Sequence, residues 1–204
     1  MTTKNQASSR IIVGISGASG VVYGIRLLEV LAGLDVETHL VMSKAAEMAA
    51  AYETDRKPSE LKALADICHP VGDIGASISS GSFKTLGMVV APCSVRTMSE
   101  VASGVTSTLL TRAADVVLKE RRRLVLLLRE TPLHTGHLRT MLELSQAGAV
   151  VMPPVPAFYT RPQCVDDIVN QTVGRVLDLF DLDSEITKRW GEDIGVNPKD
   201  RKGS

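Results

Sequence analysis

Apolar, β-branched runs and helically spaced apolar positions alternate along almost the whole chain. Residues 10–15 (RIIVGI), 36–42 (VETHLVM), 86–91 (LGMVVA), 124–128 (LVLLL) and 150–152 (VVM) read as strands. Residues 21–34, 44–51, 106–120, 135–147 and 165–180 read as helices. Runs this short cannot be told from buried helix by periodicity alone, so the regular alternation carries the assignment. Apolar strands separated by helices imply an α/β fold, a three-layer parallel sheet with helices on both faces. No internal repeat or low-complexity block interrupts the pattern. A single domain over residues 10–192 is expected, with flexible ends at 1–9 and 193–204, the latter polar and Gly/Pro-containing.

Composition narrows the function classes. Hydrophobic residues make up 44% of the 204 positions and charged residues 23%, an ordinary globular balance. Lys+Arg and Asp+Glu both number 23, so no bulk field draws the chain to nucleic acid or an anionic membrane. Aromatics at 3% leave no platform for stacking bases. Cys68, Cys93 and Cys164 are scattered, with no CxxC pair, which disfavours a disulfide framework or a zinc site and fits a reducing compartment. The start, MTTKNQASSR, lacks the apolar run of a signal peptide, and residues 124–128 are far too few to span a bilayer. A cytoplasmic protein is expected.

In an open parallel sheet, ligands bind at the carboxyl ends of the strands, so the loops there carry the chemistry. The first is Gly14-Ile15-Ser16-Gly17-Ala18-Ser19-Gly20. Its glycines let backbone approach a ligand, and the helix behind it offers free N–H groups to an anion. The pattern is neither G-x-G-x-x-G nor a Walker loop. Where a dinucleotide fold places an acid after the second strand, this chain has Met42-Ser43-Lys44. A hydroxyl and a cation suit a phosphate-bearing mononucleotide; a ligand-free tight turn would use the same glycines.

The next strand-end loop, Ala91-Pro92-Cys93-Ser94-Val95-Arg96-Thr97, makes Ser94 a candidate N-cap with Thr97 at the third helical position. A plain cap explains it, as does a second anion site; Ser80-Gly81-Ser82 supplies more small donors nearby in sequence. After the strand at 124–128 come Arg129-Glu130-Thr131-Pro132, which suit either a phosphate clamp with a proton-transfer acid or a structural ion pair. Arg112 and Lys119 share a helix face as further cations, or as ordinary surface charges. His134 and His137 lack a third ligand at metal-site spacing. His39 and His69 read as satisfied histidines in or beside strands, and Cys93 has no evident base to make it a nucleophile.

Together, several segments resemble the motif set of the UbiX-like flavin prenyltransferase family. They are Gly17-Ala18-Ser19-Gly20, Ser43-Lys44-Ala45-Ala46, Tyr52-Glu53-Thr54, Ser80-Gly81-Ser82, Pro92-Cys93-Ser94, the 112–120 segment RAADVVLKE, Arg129-Glu130-Thr131-Pro132-Leu133 and the 153–159 segment PPVPAFY. Each is weak alone; their joint order and spacing over about residues 10–190 is specific. The resemblance implies a flavodoxin-like, Rossmann-type fold, a dodecameric homo-oligomer and no metal. It implies FMN contacts from Gly17, Ala18, Ser19, Ser43, Ser94, Val95, Arg96, Thr97 and Arg129. It assigns the prenyl phosphate to Ser80, Arg112, Lys119, Arg129, Tyr159 and Arg175, and catalysis to Glu53, Glu130 and Ser19. Val95 and Arg96 stand where relatives vary, and Trp190 matches a late tryptophan of the family.

The implied reaction joins a dimethylallyl group from dimethylallyl phosphate to N5 and C6 of reduced FMN. Prenylated FMN then passes to a UbiD-type decarboxylase serving ubiquinone synthesis or phenolic-acid decarboxylation, which the sequence does not separate. Cations stabilise the departing phosphate and a closed apolar pocket protects the allylic cation from water. Glu130 is the expected proton donor, and Glu53 is expected to shape the flavin end. Two other readings remain at this level: a flavin-dependent decarboxylase of the cysteine-decarboxylase group, against which Arg96 replaces an expected Asn, and a non-catalytic FMN carrier.

Overall fold

The computed structural model describes residues 9–195. The expected flexible ends lie outside these residues, except that Ser9 pairs in the first strand and the Asp193 carboxylate accepts from the Arg189 N–H. Two compact units divide the chain, Met1–Pro154 and Val155–Ser204.

The first unit is a six-stranded sheet of β1 (Ser9–Ile15), β2 (Val36–Met42), β3 (Ile67–His69), β4 (Gly87–Cys93), β5 (Arg123–Leu128) and β6 (Val150–Val151). All neighbours are parallel, in the order β3-β2-β1-β4-β5-β6. This is the doubly wound Rossmann-type order, and its direction of growth reverses between β1 and β4. The helices are α1 (Val21–Leu31), α2 (Lys44–Glu53), α3 (Pro58–Lys62), α4 (Val95–Ala102), α5 (Leu109–Lys119) and α6 (Thr135–Ala147).

Side-chain alternation along the strands divides the core. Ile12, Val41, Met88, Val90, Leu124 and Leu126 form one apolar cluster with Met98 of α4, Ala113 and Val117 of α5 and Leu144 of α6. On the opposite face α1 approaches so closely that a Cβ on Gly24 would lie 2.3 Å from the Ala91 carbonyl and 2.9 Å from the Ile15 side chain. Only glycine permits that approach.

Helix starts follow side-chain chemistry. Ser43, Ser94 and Thr108 are N-caps whose hydroxyls accept from the third N–H of α2, α4 and α5. Gly148, at φ 101°, closes α6 in the left-handed conformation.

The sheet's β3 edge was not expected. It is three residues long and mostly exposed, so it has neither the length nor the apolar run of a strand signal. Polar pairs fix it. Asp66 accepts from the Thr38 N–H and hydroxyl, both at 2.8 Å, which holds its carboxyl below the usual range. His39 is buried, 2.9 Å from His69 and 2.8 Å from Glu37, and Arg10 donates to the same carboxylate. Both histidines are satisfied, as expected.

In the second unit, α7 (Val165–Asp178) starts behind Cys164, with Asp167 accepting from the Gln163 and Cys164 N–H groups. Gln171 exchanges two hydrogen bonds with the Lys188 backbone, and Gly174 leaves room for Thr187. Arg189 holds Asp178 with two donors at 3.1 and 2.9 Å. No helix among the described residues is long and apolar enough to cross a membrane.

Candidate functional site

The reversal between β1 and β4 leaves a crevice at the carboxyl ends of the strands, and one buried hydroxyl sets its width. Ser16 Oγ donates to the Pro92 carbonyl at 2.9 Å and accepts from the Ser94 N–H at 2.8 Å, while the Ser16 N–H donates to the same Pro92 oxygen at 3.2 Å. The loop after β1 is thus tied to the loop after β4. The Ser43 N–H donates to the Ile15 carbonyl, and the Arg129 N–H to the Cys93 carbonyl, bringing in the loops after β2 and β5.

A cavity of about 610 Å³ opens over these loops, within the range of small-molecule sites. Gly17, Ala18 and Ser19 line it from the first loop, Ser43 from the second, 94–97 from the third and Arg129 with Glu130 from the fourth. Every residue assigned to FMN from the sequence therefore faces one space, together with two of the three assigned to catalysis, Ser19 and Glu130. Gly17 has to be glycine, because an added Cβ would lie 2.3 Å from the Ala45 Cβ at the start of α2. The donor set is largely neutral: serine and threonine hydroxyls and backbone N–H groups, with Lys44, Arg96 and Arg129 as the cations. Such donors fit the phosphate and ring edges of a mononucleotide.

Sequence reasoning missed Val71, Glu100, Thr108, Leu110 and Thr111 on the walls. Glu100 accepts from Arg96 Nε at 2.8 Å and from Ser107 Oγ at 3.0 Å, pinning the loop between α4 and α5. Thr108 and Thr111 form a reciprocal capping box, a T-x-x-T signal two residues inside the expected helix start. Cys93, one residue before the lining Ser94, is fully buried, and burial pushes its thiol up to about 12, so it stays protonated.

Other sequence-assigned residues lie elsewhere. Glu53, at the end of α2, accepts from the Gly20 N–H at 3.1 and 2.9 Å and from the Val21 N–H at 2.9 Å. It therefore caps α1, whose N-cap Gly20 has φ 101° and no side chain to do so.

Ser80, Arg112 and Lys119 gather along α5 instead. The cavity meets Thr108 and Thr111 at the start of that helix, and Lys119 ends it. Helical rise puts roughly 16 Å between Thr108 and Lys119. Arg112 Nε donates to the Ser79 carbonyl at 3.3 Å and its Nη1 to Asp115 at 2.8 Å; Lys119 pairs with Glu120 at 2.5 Å. The hydrogen bond from Lys119 holds the Glu120 carboxyl below its usual range.

Tyr159 and Arg175 belong to the second unit. Tyr159 meets Trp190 edge to face at 5.6 Å, and Arg175 donates to Asp178 at 2.5 Å. Burial alone would raise the Asp178 carboxyl, but Arg189 and Arg175 hold it low. His134 spends its Nδ1 on the Gly136 N–H and stacks on His137, with ring centres 3.6 Å apart.

Comparison with known proteins agrees with the cavity. The family model described as Flavoprotein matches residues 1–178. The chain is 61% identical over 184 residues to the flavin prenyltransferase UbiX of Escherichia coli K12, covering 89% of this chain and 97% of that one. Among solved structures it is similar to AnUbiX in complex with FMN and dimethylallyl pyrophosphate, with a TM-score of 0.89, 54% identity and coverage of 90% and 97% of the two chains. It is also similar to a dodecameric FMN-dependent UbiX-like decarboxylase from Escherichia coli O157:H7, with a TM-score of 0.87, 50% identity and coverage of 89% and 98%.

Proposed function

The chain belongs to the UbiX-type flavin prenyltransferases, and on that premise we propose how its own residues divide the work. It is a transferase that joins a dimethylallyl group from a prenyl phosphate to N5 and C6 of reduced FMN. Reduced flavin supplies the nucleophile. Gly17, Ala18, Ser19, Ser43 and the 94–97 turn bind and orient it, with Arg129 at the rim. The observation that carries this reading is their convergence on one cavity at the strand reversal.

Glu130 lines the same space and delivers the proton that the alkene needs before the second ring bond forms, and the released phosphate takes up the proton that C6 then loses. Ser19, exposed in the first loop, orients the reacting ends, and Glu53 fixes that loop through α1. Ser80, Arg112 and Lys119 receive the departing phosphate, as do Arg129, Tyr159 and Arg175. Because Lys119 and the cavity lie at opposite ends of α5, a cavity recruits its Lys119 from a second copy in a homo-oligomer, here a dodecamer. The product serves a UbiD-type decarboxylase in the cytoplasm.

Anaerobic incubation with reduced FMN and dimethylallyl phosphate, read by mass spectrometry, should show a flavin heavier by one five-carbon unit. An unchanged flavin mass rejects the transferase, and carbon dioxide release from an aromatic or cysteinyl acid by the protein alone would favour a decarboxylase. Shared sites make a second demand. Glu130→Gln and Lys119→Met proteins, each nearly inactive, should regain activity in mixed oligomers, and no recovery rejects the sharing.

A further inference from the structure

Arg122 belongs to none of the binding sets above, yet both hydrogen bonds of its guanidinium go to main chain, and its charge also helps to hold the Glu120 carboxyl low. Nη1 donates to the Phe83 carbonyl at 2.7 Å and Nη2 to the Gly81 carbonyl at 2.6 Å. A planar fork aimed at two carbonyls is held more rigidly than a single ammonium could be. The helix end aims it. Glu120 is the C-cap of α5, Arg121 follows in the left-handed region at φ 56°, and the Arg121 and Arg122 N–H groups donate back to Leu118 and Val117. These are the paired bonds of a Schellman end, which places Arg122 at one fixed spot before β5.

Arg112 adds a third anchor at the Ser79 carbonyl. Carbonyls 79, 81 and 83 are therefore each held by a guanidinium, while Ser80 and Ser82 remain exposed with their hydroxyls 2.9 Å apart. Gly81 lies under the Lys119–Glu120 pair: an added Cβ would be 2.9 Å from Lys119 Nζ and 2.1 Å from Glu120 Oε1. Residues 79–82 are small and polar; the buried Ile78 and the core-packed Phe83, whose ring His39 and Arg10 contact, anchor the segment only at its two ends. Left loose, they would have to be ordered by the ligand, at a cost in affinity.

We infer that Arg122 is a positioning residue: it pre-orders residues 79–82 so that Ser80 and Lys119 meet the prenyl phosphate together, and it thereby sets affinity for the donor and not for the flavin. The inference rests on the assignment of Ser80 and Lys119 to that phosphate.

The test uses intact oligomers of Arg122→Gln and Arg122→Lys, with Lys119→Met in parallel. At saturating reduced FMN, R122Q should raise KM for dimethylallyl phosphate by about tenfold, the weight of one charge-assisted hydrogen bond. R122K should raise it less, with kcat and flavin affinity changed less than about twofold. Amide exchange at residues 80–83 should accelerate in R122Q, which reports the clamp independently of turnover. Unchanged exchange overturns the clamp, and faster exchange with an unchanged KM overturns its role in donor affinity. Equal losses in flavin and donor affinity would mean general damage and also overturn it. If K119M leaves the donor KM untouched, the phosphate assignment itself falls, whatever R122Q does to exchange.

Discussion

At its first turn α5 offers Thr108 and Thr111 to a cavity built from hydroxyls and backbone amides; from Arg112 to Lys119 the same helix carries cations paired with Asp115 and Glu120, and Arg122 follows its end. The first region is shaped by main chain, since its serines are busy capping helices and tying loops. The second is shaped by charge, and Arg112 and Lys119 each face a carboxylate of this chain, Asp115 or Glu120. Exposed pairs of this kind are weak in water, so a doubly charged phosphate can displace the acids readily. A planar flavin requires a rigid slot, whereas a small leaving anion requires positive charge that is cheap to redirect. On the assignment proposed above, one helix serves both ligands.

Substitutions that strike one region and spare the other test this division. The largest effect is expected from Glu130→Gln, which should lower kcat by about 10²–10⁴-fold while FMN affinity moves less than about twofold. A kcat within tenfold of the parent would remove Glu130 from the proton step. Next come two mirrored glycine substitutions. Gly17→Ala forces Ala45 and the start of α2 aside, a rearrangement of about 1–3 kcal/mol that should appear as roughly ten- to a hundredfold weaker FMN binding in a fluorescence titration. Gly81→Ala meets only the flexible ends of Glu120 and Lys119, so donor KM should rise a few-fold with FMN binding intact. If either substitution crossed over to the other ligand, the two regions would not be separable.

Glu53→Gln weakens the cap of α1. A loss of about 0.5–2 kcal/mol in denaturant unfolding is expected, with kcat reduced less than about tenfold. An unaltered unfolding midpoint with a hundredfold loss of turnover would instead give Glu53 a chemical role. The smallest effect belongs to neither end of α5. Burial, and then the neighbouring His39, hold His69 below the ordinary histidine value. As pH falls below about 6.5 the unfolded chain takes up this proton first. Stability is therefore full above that pH and declines until the folded imidazole protonates too. His69→Gln should flatten the slope in that window without shifting flavin or donor affinity; an unchanged slope would mean that His69 does not titrate there.

What the sequence disclosed follows from where each signal resides. The β-rich stretch at 36–42 and the apolar run at 124–128 read as strands through their alternation with helices, and their ends locate the cavity loops. Ser94 and Thr97 announced a cap, and the structure adds that the same turn lines the site. The edge strand Ile67–His69 was illegible because its stability comes from Asp66, His39 and Glu37, partners drawn from other strands or loops. Val71 and Leu110 carry no chemistry that marks a wall, so only the folded chain assigns them. The resemblance groups Lys119 with Arg129 around one phosphate, whereas helix length separates Lys119 from the α5 turn that lines the cavity with Arg129. No local pattern encodes that distance.

The carboxylate at the head of α1 has one more effect. In Rossmann folds that bind NAD or FAD, the pyrophosphate rests on the first helix's opening N–H groups. In this chain Gly20 and Val21 have already committed those donors to Glu53. A bridging diphosphate would meet negative charge instead of free amides. The chain thus keeps its own tethered anion where a bridging diphosphate would accept, and no bulky side chain is needed to occupy that place.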